Sequence, residues 1–385
     1  MPRQAFGTGH AREALDIKRN GVALTYKVRV VPAPRMKTLA AALFSVGCAI
    51  VATACSSSDT SPSSATSPAS TAAPTDPGSL EGNAADDGAV ACDACFPVES
   101  LSEDLRAKAE TTLLAALDGE ALYTLLSEMK PMSSGFSGLT FSASKDSVPE
   151  LDALRSILQA FQCTSRLTGD VQVFAQAHDG EKSADALLFH RPRFAATIEK
   201  YPNPFASLQI VSSMAPLDAV DRLDRDPTTK RFRAYGYLFG YPEHAVDFFV
   251  SAEETETTTG KFVERDFVHI PTFAKPTGAF TYAVPKGQAL TPEDVALREK
   301  AAPILAAYRK ARTEHIKGGK GAARLLRTVF DDGSGRCKPE NAEAYVAKHG
   351  AGAKPEPVPV CAEAGEQCAK NTDCCSADCH GDHCH

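Results

Sequence analysis

Ser147-Val-Pro-Glu-Leu-Asp-Ala-Leu-Arg-Ser-Ile-Leu-Gln-Ala-Phe161 and, after a short connection, Val171-Gln-Val-Phe-Ala-Gln-Ala-His-Asp-Gly-Glu-Lys-Ser-Ala-Asp-Ala-Leu-Leu-Phe-His190 carry two different periods. In the first stretch Leu151, Leu154, Ile157, Leu158 and Phe161 recur at the three- and four-residue spacing of one helix face. Ser147 and Glu150 stand where a capping pair would open that helix. In the second, Val171, Val173, Ala175 and Ala177 alternate with more polar neighbours, and Ala186 to His190 is apolar. Asp179-Gly180 between the two runs is the dipeptide of a tight hairpin turn. Helix and antiparallel hairpin follow one another without a βαβ rhythm, which predicts an α+β fold.

The same reading extends outward. Upstream, Ser100 and Glu103 form a second capping pair before Leu113, Leu114 and Leu117, and Ala121 to Leu126 has helical composition. Downstream, Phe267 to Phe273 and Ala279 to Val284, joined through Lys275-Pro-Thr-Gly278, predict a second hairpin. Thr291-Pro-Glu-Asp294 opens a long helix with its cap and first-turn proline in place. Leu297, Ala301, Ile304, Leu305 and Tyr308 line its apolar face; Pro303 should kink it and Gly318-Gly319 should stop it. A globular α+β body is therefore expected over residues 91–348, with no internal repeat.

Outside the body the composition changes. Leu39 to Ala54 is sixteen residues without a charge. That is shorter than the roughly 20 residues that span a bilayer, and it suits the apolar core of a signal peptide. Met36-Lys37 leads into it, and Ala52-Thr-Ala54 precedes Cys55. Residues 36–55 thus resemble a bacterial lipoprotein signal, which implies cleavage before Cys55 and lipidation of that cysteine. Residues 1–35 lie upstream of a complete signal: either translation starts at Met36, or they form a long basic lead. Residues 56–90 are nearly all Ser, Thr, Ala, Pro, Gly, Asp and Asn, a composition too polar to offset its ordering entropy. The segment 55–90 is expected to be a tether reaching on the order of 30 Å. Residues 1–54 hold eight of the 41 Lys/Arg and two of the 48 Asp/Glu, so the chain from Cys55 onward has 33 and 46, a net charge near −13. An acidic, exported protein argues against a nucleic-acid partner. The expected partners are the membrane, through the anchor at Cys55, and a protein or surface polymer.

Beyond the body, residues 349–360 include Lys354-Pro-Glu-Pro-Val-Pro359, an extended spacer. Cys361, Cys368, Cys374, Cys375, Cys379 and Cys384 follow within 24 residues, spaced C-x6-C-x5-CC-x3-C-x4-C. So short a segment has almost no apolar core, and cross-links must substitute for one. The spacing, with Gly365 in the first loop and Asp373-Cys-Cys-Ser376, resembles the inhibitor cystine-knot, or knottin, family. The resemblance covers 361–384 and implies the pairs Cys361–Cys375, Cys368–Cys379 and Cys374–Cys384, in a small module over 361–385; it implies no particular target. His380, Asp382, His383 and His385 raise a metal reading, but thiols oxidised to disulfides are not zinc ligands, so no metal and no cofactor is expected. In the body, Cys92-Asp-Ala-Cys95 has redox spacing without the strand and helix that redox sites need. Structural bridges Cys92–Cys95 and Cys163–Cys337 are the expected arrangement.

No strong catalytic motif is present. Ser142-Ala-Ser-Lys145 matches SxxK but sits in a strand-like run. Lys130-Pro-Met-Ser-Ser-Gly-Phe136, with Ser133, Ser134 and Ser137, reads as a connector. With a two-residue turn, His190 would pair opposite Gly169, about 30 Å from His178 at about 3.3 Å per residue, so these histidines cannot share a site. Glu243, His244 and Asp247 on one helix, and Asp266 and His269 on the second hairpin, could together form an acid/base or metal cluster. The contrary expectation is a core His269 beside Phe267 and Phe273, with the other four solvated. The basic segment Arg298–Arg327 reads as a solvated helix face in preference to an anion-binding one. The expected function is that of a non-catalytic surface binding or structural protein of the cell envelope. A hydrolase or metal-assisted enzyme built around His244 and His269 is the alternative.

Overall fold

The computed structural model describes residues 88–275, 279–357, 379–380 and 383–384. In chain order the elements are β1 (Val90–Ala91), α1 (Glu103–Asp118), α2 (Leu122–Leu125), β2 (Met132–Ser133), β3 (Gly138–Ser142), α3 (Pro149–Gln159), β4 (Leu167–Val173) and β5 (Glu181–His190). They continue with α4 (Arg191–Lys200), α5 (Pro202–Ala206), α6 (Pro216–Arg225), α7 (Lys230–Leu238), α8 (Glu243–Thr259), β6 (Arg265–Ile270) and β7 (Phe280–Pro285). Then come α9 (Pro292–His315), α10 (Ala322–Phe330), β8 (Arg336–Cys337) and α11 (Asn341–His349). All strand pairs among the described residues are antiparallel, and the fold is α+β.

β5 is the spine of the main sheet. β4 runs along one edge of it, and β3 and β2 share the other edge one after the other. Its apolar run Ala186–His190 follows from burial on both faces. Ala184, Ala186 and Leu188 enter a large core with Leu117, Leu158, Tyr308 and Phe330. Leu187 and Phe189 enter a second core with Phe194, Phe205, Leu223 and Leu238. The sheet therefore separates two hydrophobic clusters, one closed by α1, α3, α9 and α10, the other by α4 to α7.

The Asp179-Gly180 turn forms as expected: both residues have positive φ (53° and 79°), and His178 and Glu181 bond each other across it. The register beyond it differs. His190 pairs with Leu167 instead of Gly169. Three residues, Ala175 to Ala177, oppose the single residue Lys182, and Ala175 N–H donates to Asp224 Oδ2 of α6 at 2.6 Å instead of joining the ladder. The two extra residues slip the register by an even number, so every side chain keeps its face.

Helix starts also shift. α1 begins behind Ser102, while Ser100 Oγ donates to Pro97 O; α3 begins behind Val148, with Pro149 in its first turn. Neither N-cap side chain accepts a backbone N–H. The third signal holds. Thr291 Oγ1 accepts from Asp294 N–H and Asp294 Oδ2 accepts from Thr291 N–H, a reciprocal capping box. α9 runs unbroken through Pro303 to His315. Gly236 lets α7 approach α8, since a Cβ there would lie 2.7 Å from Val246 Cγ2.

The body disulfides are Cys92–Cys337 and Cys95–Cys163, which corrects the expected Cys92–Cys95 and Cys163–Cys337. The cause is the path of the N-terminal loop. β1 pairs with β8, which sets Cys92 beside Cys337, and Phe96 N–H donates to Gln162 O, which sets Cys95 beside Cys163. Arg327, buried in α10, secures that loop. It donates to Cys95 O and Phe96 O at 2.7 Å each and forks onto Glu99 at 2.6 and 2.8 Å. The guanidinium bonds hold the Glu99 carboxyl below the usual range.

The spacer is less independent than its composition suggests. Arg298 donates to Glu356 O at 2.9 Å, and Arg309 forks onto the Glu356 carboxylate, so residues up to Glu356 lie against α9. Of the C-terminal module, only backbone pairing of Cys379–His380 with His383–Cys384 is described. Cys55 and the rest of the knot fall outside the described residues. Among the described residues no helix is long and apolar enough to cross a membrane.

Candidate functional site

The five side chains singled out on α8 and β6 are divided among separate partners. Glu243, first in α8, is exposed. Asp247 accepts from Arg233, which also reaches the Tyr237 hydroxyl. Asp266 closes the open end of the second hairpin: Gly287 N–H donates to it at 2.7 Å and Lys286 Nζ lies at 2.9 Å. Those two contacts, the backbone bond foremost, hold its carboxyl below the usual range. His269 Nδ1 lies 2.9 Å from Thr281 Oγ1, its cross-strand partner. Val268, Ile270, Phe280 and Tyr282 fill the core, so His269, Thr281 and the 54% exposed Phe267 share the outer face of this hairpin. His269 is therefore not a core residue. Burial of its ring, then the charge of Arg298, lowers its pKa.

His244 lies on the inner side, edge-on to Tyr282. Its Nδ1 is 3.3 Å from Glu293 Oε2, and its Nε2 is 3.2 Å from Asp294 Oδ1 without the alignment of a hydrogen bond. His244 and His269 thus face opposite sides of β6–β7. Among the described residues no group of three or more His, Cys, Asp or Glu side chains is placed to hold a metal ion.

Asp294 is the hub that sequence reasoning assigned to capping alone. It is fully buried, and its Oδ1 accepts from the Tyr282 hydroxyl at 2.6 Å while its Oδ2 serves the Thr291 cap. Burial opposes the carboxylate, but the bonds from Tyr282 and Thr291 outweigh it and leave the pKa lowered. Burial and the same bond raise the Tyr282 phenol. The network ties α8, α9 and β7 together. Its aliphatic hydroxyl, Thr291 Oγ1, is spent on the cap.

A second buried charge lies close by. Lys130 has no exposed surface; its ammonium is 2.9 Å from Glu120 Oε2 and 4.1 Å from the centre of the Phe280 ring, with Phe239 and Tyr241 at 5.4 and 5.5 Å. Burial lowers its pKa against the pull of Glu120. Nearby Ser133 is also fully buried, its hydroxyl 2.8 Å from that of Thr124. Ser142 lies on β3, as its strand-like run implied, and 2.9 Å from the Ser144 hydroxyl. Residues 130–133 are interior structure, and the chain returns to the surface at Gly135.

Above Lys130 a cleft of about 290 Å3 opens between α4, the α7–α8 junction and the first half of α9. Its floor is Met129, Pro131 and Gly240-Tyr241-Pro242. One wall carries Arg193, Lys200 and Tyr201, with Tyr201 stacked on Tyr237 at 3.8 Å and capped on its ring by Lys200 at 4.6 Å. The other carries Glu293, Leu297 and Lys300, and Glu128 completes the rim. Leu297 had been read as part of the apolar face of α9 and Glu293 as part of its opening; none of these residues had been singled out for a binding site. The available signal was Tyr235-Gly-Tyr-Leu-Phe-Gly-Tyr241, an aromatic run punctuated by glycines. By contrast, much of the basic segment turns to the protein itself: Arg298 and Arg309 hold Glu356, Lys310 donates to His349 O, Arg312 forks onto Asp118, and Arg327 holds the N-terminal loop. Compared with known proteins, the chain matches no family model, and neither a curated protein nor a solved structure is significantly similar to it.

Proposed function

We propose that this chain is a non-catalytic binding protein of a bacterial cell envelope. It is lipid-anchored at Cys55, held off the membrane by residues 55–90, and takes its ligand in the cleft between α4, the α7–α8 junction and α9. The signal-like stretch 36–55 supports the anchor. The two body disulfides agree with an oxidising destination. The observation that carries the non-catalytic reading is that His244, Asp247, Asp266 and His269 each meet a different partner, Glu243 is exposed, and His244 and His269 face opposite sides of β6–β7. An acid/base pair must meet within hydrogen-bond reach of one substrate. The cleft instead gathers charged and phenolic side chains around a floor that buried contacts keep rigid, the arrangement of a binding site.

The anchor is tested first. Cys55→Ser should abolish incorporation of labelled palmitate and move the protein from the membrane to the soluble fraction. Labelling that persists in this variant would overturn the assignment.

A further inference from the structure

Arg193 stands out among the charged groups of the cleft. It lies in the first turn of α4, and that turn is set by an unusual cap: His190 Nδ1 accepts from Arg193 N–H at 3.3 Å. The side chain is half-buried, and Nε is shut off from solvent yet donates to no acceptor among the described residues. An unmade hydrogen bond to a buried donor costs roughly 1–3 kcal/mol, and more when the group is charged. Its terminal nitrogens are not sealed in this way and carry no hydrogen bond or ion pair among the described residues, so the guanidinium on the wall of the cleft is open to an acceptor from outside. A guanidinium presents a flat fork of donors that matches a carboxylate.

The rest of the cleft narrows the ligand. Lys200 and Lys300 add positive charge at the rim and form no ion pair among the described residues. Glu128 and Glu293 face the same space, so a second anionic group on the ligand would meet repulsion, while hydroxyls would find acceptors. An ammonium group is disfavoured by three cations against two carboxylates. The walls are helical, and among the described residues no strand lines the opening, which argues against strand addition of a peptide. About 290 Å3 lies at the small end of ligand sites and suits one or two sugar rings.

We infer that the cleft binds a sugar acid, a saccharide bearing one carboxylate, with Arg193 receiving the carboxylate and Glu128 and Glu293 receiving hydroxyls. This rests on the reading of the cleft as a binding site. Calorimetric titration of the full chain with glucuronate, glucose, glutamate and inorganic phosphate tests it. Glucuronate should bind at least tenfold more tightly than the other three. Arg193→Gln should weaken glucuronate at least tenfold, with Arg193→Lys intermediate, because a point charge replaces the fork. Both variants should be at least as stable as wild type, since the His190 cap uses the backbone of residue 193 and the unpaired Nε is removed. Equal binding of glucose, or an Arg193→Gln variant that binds normally, would overturn the carboxylate assignment and leave the cleft reading standing. Tighter binding of glutamate or phosphate would overturn the saccharide. If none of the four binds, both the inference and the cleft reading fall.

Discussion

Lys130 shows how much a single residue can depend on its surroundings. A lysine in Lys130-Pro-Met-Ser has the sequence context of a solvated turn, yet the side chain is enclosed by Phe239, Tyr241 and Phe280 and neutralised by Glu120. Rings on several sides return part of the lost hydration through their quadrupoles, and the carboxylate returns more. Removing the ammonium leaves Glu120 without its partner and a void beneath the cleft floor. Lys130→Ala should therefore destabilise the protein by about 3–5 kcal/mol, whereas Lys130→Met, which keeps the volume, should cost clearly less. Urea unfolding of the two variants separates these cases. An alanine variant within about 1 kcal/mol of wild type would show that the cage contributes little. Asp294 teaches a related lesson. Its capping role was legible in Thr291-Pro-Glu-Asp294 because a cap is local. Its bond to Tyr282, twelve residues away on β7, was not.

At the scale of elements, β5 and α4 meet at a histidine that must stay neutral. His190 ends the strand, and its ring nitrogen accepts the Arg193 N–H that starts the helix. Burial lowers its pKa below the ordinary 6.5, and it does the same for His269 and for His315, whose ring nitrogens are buried without hydrogen bonds. A histidine with a lowered native pKa binds its proton more readily when the chain is unfolded. Its contribution is therefore fully present above pH 6.5 and is lost as the pH falls through the native pKa. Melting temperature should decline from pH 7.5 to 5.5, by about 2–4 °C for each kcal/mol lost. His190→Asn keeps a cap acceptor that does not titrate, so its decline should be shallower. Parallel curves for the variant and wild type would show that His190 plays no part. The strands were readable from alternation, and the Asp179-Gly180 turn from its dipeptide. The slipped register was not, because it depends on Asp224 of α6 drawing Ala175 out of the ladder.

For the whole molecule, the two disulfides cross-link distant parts of the chain. Cys92–Cys337 closes 245 residues and Cys95–Cys163 closes 68. On loop entropy alone they would be worth about 5.5 and about 4.4 kcal/mol, far more than a bridge across Cys92-Asp-Ala-Cys95. Digestion without reduction, with no cut between residues 92 and 95, should yield one species joining three peptides, those containing Cys92 and Cys95, Cys163, and Cys337. A two-peptide species linking Cys163 to Cys337, with an internally bridged 92–95 peptide, would refute the pairing. Cys163→Ser should lower stability by about 2–5 kcal/mol.

What the sequence determined by itself is whatever depends on neighbours in the chain. The helical face of Leu151, Leu154, Ile157 and Leu158, the Asp-Gly turn, the Thr291 cap and the α+β class all follow from periods and dipeptides a few residues long. Tertiary structure alone decided which cysteines bond, which carboxylate meets His244, that His244 and His269 fall on opposite faces of one hairpin, and that α4, α7 and α9 enclose a cleft. Those outcomes are set by packing between elements up to 245 residues apart. A histidine or an arginine carries no local mark of the partner that folding will bring to it.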